Sequence, residues 1–145
     1  MTRKLLFIAL TFGIVLTACS SMKKSLHPNA NIKGTNWSVA SIISKDGNQL
    51  LYPSGDHVPT FSVAEDGKSI SGFAGCNRYS GPVTIKDFTI EFGAIVATRM
   101  FCAESANIEN AMLNILQDTK KYTVKGEQLV FVDDNNNIIA TLNPQ

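Results

Sequence analysis

The stretch Ser71-Gly72-Phe73-Ala74-Gly75-Cys76-Asn77-Arg78-Tyr79-Ser80-Gly81 sets three glycines around a cysteine. Glycines at this density mark unusual backbone angles or a close approach between backbone segments. Read structurally, the segment is a strand end and a tight corner, with Cys76 tied to a second cysteine. Read functionally, Asn77, Arg78 and Tyr79 form a small exposed binding surface. The structural reading is favoured, because a disulfide corner needs such residues for geometry alone. It is not a phosphate-binding loop: the lysine and Ser/Thr of such a loop are missing, and no helix pattern follows.

Outward from this corner the chain alternates in period two. Asn36–Ser44 alternates Trp37, Val39 and Ser41 with polar neighbours, as a half-buried strand does, and Trp37 is expected to anchor the core. Gln49–Tyr52 follows the turn Asp46-Gly47-Asn48, and Pro53-Ser54-Gly55-Asp56 breaks the chain again. Thr60–Val63 and Ser69–Phe73 flank Glu65-Asp66-Gly67-Lys68, a hairpin signal. On the other side, Pro82–Ile85 and Phe88–Phe92 turn at Lys86-Asp87. The period then changes. Ile108, Ala111, Met112, Ile115 and Leu116 share one helical face, with Ser105 as the cap, Glu109 in the first turn and Lys120-Lys121 near the end. Tyr122–Lys125, Gln128–Val132 and Ile138–Leu142 complete the set, the first two meeting at Gly126-Glu127. About eight short strands and one helix predict an α+β domain, an antiparallel sheet or open barrel with the helix packed on one face.

The chain opens differently. Arg3 and Lys4 precede an apolar run of 12 residues, Leu5 to Leu16. A basic start and a run this short fit a secretory signal peptide, and fall below the ~20 residues a membrane-spanning helix needs. Leu16-Thr17-Ala18-Cys19 then resembles the lipobox of bacterial lipoproteins, in which Cys19 is acylated and becomes the first residue. Several acyl chains hold where one would not. Ser20 in place of aspartate, by resemblance to enterobacterial sorting, implies the outer membrane. Residues 20–34 are polar and aperiodic, which reads as a tether, with His27 solvated in it.

With Cys19 lipidated, Cys76 and Cys102 remain, an even number in an oxidising compartment, and a disulfide is the natural use. Zinc would need about four ligands, and only His57 is available in the domain to join the two cysteines. A cysteine nucleophile would likewise depend on His57 as its base. Asp133, Asn135 and Asn137 match alternate positions of a calcium loop, but Ile138 stands where glycine is required and Pro144 where glutamate is. That stretch reads as a hairpin turn, and no metal or cofactor is expected. Asn36-Trp37-Ser38 fits a glycosylation sequon, a reading that lapses in a bacterium. The whole chain carries 13 basic and 12 acidic side chains; without Arg3 and Lys4 the balance turns net negative by one. A nearly neutral domain lacks the field that drives nucleic-acid binding.

The corner, taken with Ala97-Thr98-Arg99-Met100-Phe101-Cys102-Ala103, resembles the META domain family, and within it the HslJ-type heat-shock lipoproteins. The family pattern runs Gly-Cys-Asn-Arg, then Thr-Arg-Met-x-Cys, then a helix and closing strands. Gly75-Cys76-Asn77-Arg78 and Thr98-Arg99-Met100-Phe101-Cys102 stand in that order, with Gly34-Thr35-x-Trp37 and Pro59-Thr60-Phe61 ahead of them. The resemblance covers residues 34–142; together with the leader and lipobox readings it divides the chain into 1–18 signal peptide, 19–33 lipidated cysteine and flexible tether, and 34–145 META domain. It implies a curved antiparallel sheet with one helix, an association with heat induction and with novobiocin tolerance, and no catalytic residues to carry across.

Two classes of function follow as expectations. The first is a non-enzymatic envelope lipoprotein, anchored in the membrane by lipid and facing the periplasm. It would bind a protein partner or ligand through Asn77, Arg78, Tyr79 and Arg99. A protease-inhibitor-like binding domain is the variant of this reading that fold analogy raises. The second is a thiol hydrolase with His57 as base and Cys76 or Cys102 as nucleophile.

Overall fold

The computed structural model describes residues 31–44 and 49–145. The expected signal peptide, Cys19, the tether up to residue 30 and the Asp46-Gly47-Asn48 turn lie outside the described residues. The strands are β1 (Asn36–Ile43), β2 (Leu50–Leu51), β3 (Thr60–Val63), β4 (Ser69–Phe73), β5 (Arg78–Lys86), β6 (Thr89–Phe92) and β7 (Val96–Ala97). Helix α1 (Ala106–Asp118) follows, then β8 (Lys121–Lys125), β9 (Gln128–Val132) and β10 (Ile138–Pro144). Neighbours run β10-β9-β8-β6-β5-β4-β3-β1-β2, all antiparallel, and β10 also pairs β1, so the sheet closes in a ring. The short seam is β6–β8, where Thr89 faces Lys121 and the Tyr122 N–H donates to the Phe88 carbonyl at 2.9 Å. An antiparallel α+β domain with one packed helix is what the sequence pattern predicted.

The core fills the ring. Phe61 and Phe131 are fully buried and meet edge to face at 5.1 Å between centroids, with Phe92 against both. Ala111, Met112, Ile115 and Leu116 bring the expected helical stripe onto this cluster. Thr119 ends the helix by donating both its N–H and its hydroxyl to the Ile115 carbonyl, and Lys120 Nζ reaches the Gln117 carbonyl at 3.0 Å. The start departs from expectation. Ser105 sits at the cap position, but its side chain makes no capping bond, and its buried Oγ has no partner among the described residues. A 3₁₀ turn, Ala103–Ser105, leads directly into α1 instead.

Three further departures have physical causes. The tether was expected to run to residue 33, yet Ile32 is buried in the core and Gly34 donates to the Val63 carbonyl. Scattered apolar residues in a polar stretch, here Met22, Leu26 and Ile32, carry no period to read. In β1 a bulge between Val39 and Ser41 shifts the phase, so Ile42 turns inward and Ser41 bonds Thr141 at 2.7 Å. Finally, β5 begins at Arg78 rather than Pro82. Pro82 has no N–H to donate, and it marks where β5 changes neighbour: Tyr79 and Ser80 pair β7, while Val83 to Lys86 pair β6.

Gly72 is required by a close approach in this frame. Tyr79 is buried, and its hydroxyl donates to the Thr60 carbonyl at 2.8 Å across the face of Gly72. Burial pushes the phenol well above its ordinary range, so it remains a donor. A Cβ on Gly72 would lie 2.1 Å from that carbonyl oxygen and 2.6 Å from the Tyr79 hydroxyl. Gly72→Ala is therefore expected to cost about 2–3 kcal/mol by overpacking. Urea unfolding measures it, and Tyr79→Phe, which removes one of the three clashing atoms and leaves the Thr60 carbonyl and the Tyr79 ring carbon, should recover only part.

Candidate functional site

Cys76 and Cys102 form a disulfide with Cα atoms 6.0 Å apart, the pairing expected of the two cysteines that remain once Cys19 is set aside. Beside it, Asn77 uses its whole amide. Its Nδ2 donates to the Met100 carbonyl at 3.0 Å and to Glu109 Oε1 at 2.7 Å. Its Oδ1 accepts from the Met100 N–H at 2.7 Å and from the Thr98 hydroxyl at 2.8 Å. Two donors and two accepted bonds saturate the group. Thr98 continues the join, its Oγ1 accepting from the Arg78 N–H and its own N–H donating to the Arg78 carbonyl. The two sequence motifs are thus one object, a corner and a strap joined by the disulfide, the Thr98–Arg78 bonds and the buried Asn77 amide.

This geometry corrects the expected binding surface. Asn77 and Tyr79 are both 3% exposed and fully engaged, so neither can touch a partner from this position. Arg78 and Arg99 are exposed, and neither forms an ion pair among the described residues. Sequence reasoning missed the apolar side chains next to them: Phe101 is 91% exposed, with Met100 and Val96 beyond 60%. Alternation could not have found them, because Met100 and Phe101 lie in an aperiodic strap and Val96 in a strand of two residues, too short to carry a period. Together they make a ridge whose backbone is bonded to the corner beneath it.

Behind the ridge runs a groove of 580 Å³, between the strap and the outer face of α1. Ile95 and Leu113, both packed on the core, lie along it, with Arg99, Glu109 and Asn110 at its sides. A second hollow, of 660 Å³, lies between the end of α1 and the β9–β10 turn, with Asp118, Lys120 and Asp133 among its lining residues. There the Asp133 carboxylate accepts the Asn137 N–H at 2.7 Å and its Nδ2 at 3.0 Å, closing a hairpin in which Asn136 has φ 65°. Desolvation pushes the Asp133 carboxyl up, but the Asn137 and Asn135 hydrogen bonds outweigh it and hold it below the ordinary range. Those bonds direct the carboxylate at the turn's own amides. Among the described residues no group of three or more His, Cys, Asp or Glu could hold a metal.

His57 does lie at the corner, where its Nδ1 donates to the Gly75 carbonyl at 2.8 Å. It bonds backbone rather than sulfur, and both sulfurs are in the disulfide, so the thiol-hydrolase alternative has no nucleophile here.

The chain is similar to a protein from Burkholderia xenovorans of known NMR structure, at 31% identity and TM-score 0.65, over 79% of this chain and 83% of that one. A second NMR structure, at 21% identity and TM-score 0.52 over 75% and 87%, shares the fold. No curated protein matches the chain. The family model for the META domain matches residues 30–145, which includes the corner, the strap and the buried Ile32. The chain belongs to the META domain family.

Proposed function

We propose that this META domain is the binding module of a non-enzymatic envelope lipoprotein, carried on Cys19 after residues 1–18 are removed and held in the outer membrane facing the periplasm. It acts by docking a partner on the ridge from Val96 to Phe101 under heat or envelope stress, and novobiocin tolerance is the outward consequence. The ridge carries this reading. Phe101, Met100 and Val96, exposed together within six residues, form the kind of apolar patch that a docking partner covers. Latching by Asn77 and the disulfide means that little ordering entropy is lost when it docks. The basic start, apolar run and Leu16-Thr17-Ala18-Cys19 support the anchor.

The test is a deletion strain complemented with the triple variant Arg78→Ala, Arg99→Ala, Phe101→Ser. All three side chains are exposed, so stability should stay within about 0.5 kcal/mol of the parent. Growth under heat and novobiocin should nevertheless fall to that of the deletion. Full complementation by a stable triple variant dismisses the surface. Intact-mass measurement of the native protein checks the anchor separately, and an unacylated amino terminus dismisses it.

A further inference from the structure

We propose that the groove between β7 and α1 receives an extended peptide segment of another protein, apolar and acidic by turns, as an added β-strand. This names the partner class for the binding surface above and rests on that reading.

One wall of the groove is an open strand edge. Val96 pairs Ser80, and the Thr98 N–H donates to the Arg78 carbonyl at 3.0 Å, so these two residues direct their peptide groups at β5. In an antiparallel ladder the alternate residues, Ala97 and Arg99, turn theirs the opposite way. Among the described residues no strand lies on that side, because β7 pairs β5 alone. The other wall is α1, through Glu109, Asn110 and Leu113. A groove bounded by a free strand edge and a helix is a slot for an extended peptide. Main-chain bonds to Ala97 and Arg99 would hold it, and alternate side chains would rest on Ile95 and Leu113.

Charge selects among such peptides. Arg99 lines the groove and Arg78 stands on the neighbouring strand, and neither has an ion-pair partner among the described residues. Bonding to the neutral Asn77 amide does not cancel the groove's own carboxylate, Glu109, but Arg78 and Arg99 together outnumber it and neither is paired with it. The slot therefore presents unpaired guanidinium, and a carboxylate-bearing strand complements it.

The experiment uses the full chain, expressed with its own leader and extracted in detergent. It is titrated with a short synthetic peptide alternating valine and glutamate, and followed by amide NMR and fluorescence anisotropy. The Ala97 and Arg99 amides should shift and gain exchange protection, Asn110 and Leu113 should move with them, and Arg99→Glu should weaken binding about tenfold or more. A valine–lysine peptide should bind at least about tenfold more weakly, and a copy methylated on alternate backbone nitrogens should not bind. Equal binding by either control overturns the proposal. So does a shift of the same amides on raising protein concentration alone, which would make the occupant a second copy. So does a shift seen only with anionic vesicles, which would make it a membrane surface. If the ridge variants lose envelope function while no peptide binds, the binding reading stands and the peptide class falls. If the peptide binds while the variants complement fully, the reverse holds.

Discussion

Asn77→Ala is expected to destabilise the domain by about 3–5 kcal/mol, the largest effect of any single polar substitution in it. The magnitude follows from four hydrogen bonds at roughly 0.5–1.5 kcal/mol each, with added cost for groups left without partners. Glu109 Oε1 loses the bond that ties α1 to the corner, and the Met100 N–H and carbonyl lose the acceptor and donor they meet there. Asn77→Asp separates hydrogen bonding from packing, because it keeps the shape and replaces the donor nitrogen with oxygen. The new oxygen would face the Met100 carbonyl and Glu109, so ionisation is disfavoured in the fold and its folded pKa lies above the unfolded value. Stability of the Asp variant is then fully present below the unfolded carboxylate pKa and is lost as pH rises through the raised one. Urea unfolding of both variants across pH 3–8 measures this. If Asn77→Ala costs under about 1 kcal/mol, or if the Asp variant tracks the parent across pH, the latch is not what holds the strap.

Much of the scaffold was legible because it is written locally. The apolar stripe of α1, the hairpin at Glu65 to Lys68 and the strand Gln128–Val132 each come from a period or a turn signal within a few residues. The site was written differently. Asn77 is a core group because Thr98, Met100 and Glu109 converge on it from 21 to 32 residues away, and nothing adjacent in the chain announces that. The one available hint was chemical: an amide can donate twice and accept twice, which suits a joint better than a rim. Tyr79 was misread for a simpler reason. A strand that starts at Pro82 leaves residues 78–81 without a face, whereas β5 starts at Arg78 and its alternation puts Arg78 out and Tyr79 in. The ridge at Met100 and Phe101 was visible only as part of a motif, since exposure in an aperiodic strap is decided by the latch beneath it.

Removing the disulfide, as Cys76→Ala with Cys102→Ala, is expected to cost roughly 3–4 kcal/mol and to lower the melting temperature by about 12–16 °C. A cross-link over a separation of 26 residues restrains the unfolded chain by that amount in the loop-entropy account. The native strap should stay in place, because Asn77 and Thr98 hold it from the same side by hydrogen bonds. The sharper expectation concerns the two devices together. While the disulfide is intact, Asn77→Ala leaves the strap pinned near Cys76, so Met100 and Glu109 are held close to partners they can no longer bond. Without the disulfide the strap can lift, those groups reach water, and Asn77→Ala should become cheaper by about 1 kcal/mol or more. A double-mutant cycle on thermal and urea unfolding reads this coupling. Strict additivity would mean that the amide and the sulfurs stabilise separate parts of the fold, and the rigidity ascribed to the Phe101 ridge would lose its cause.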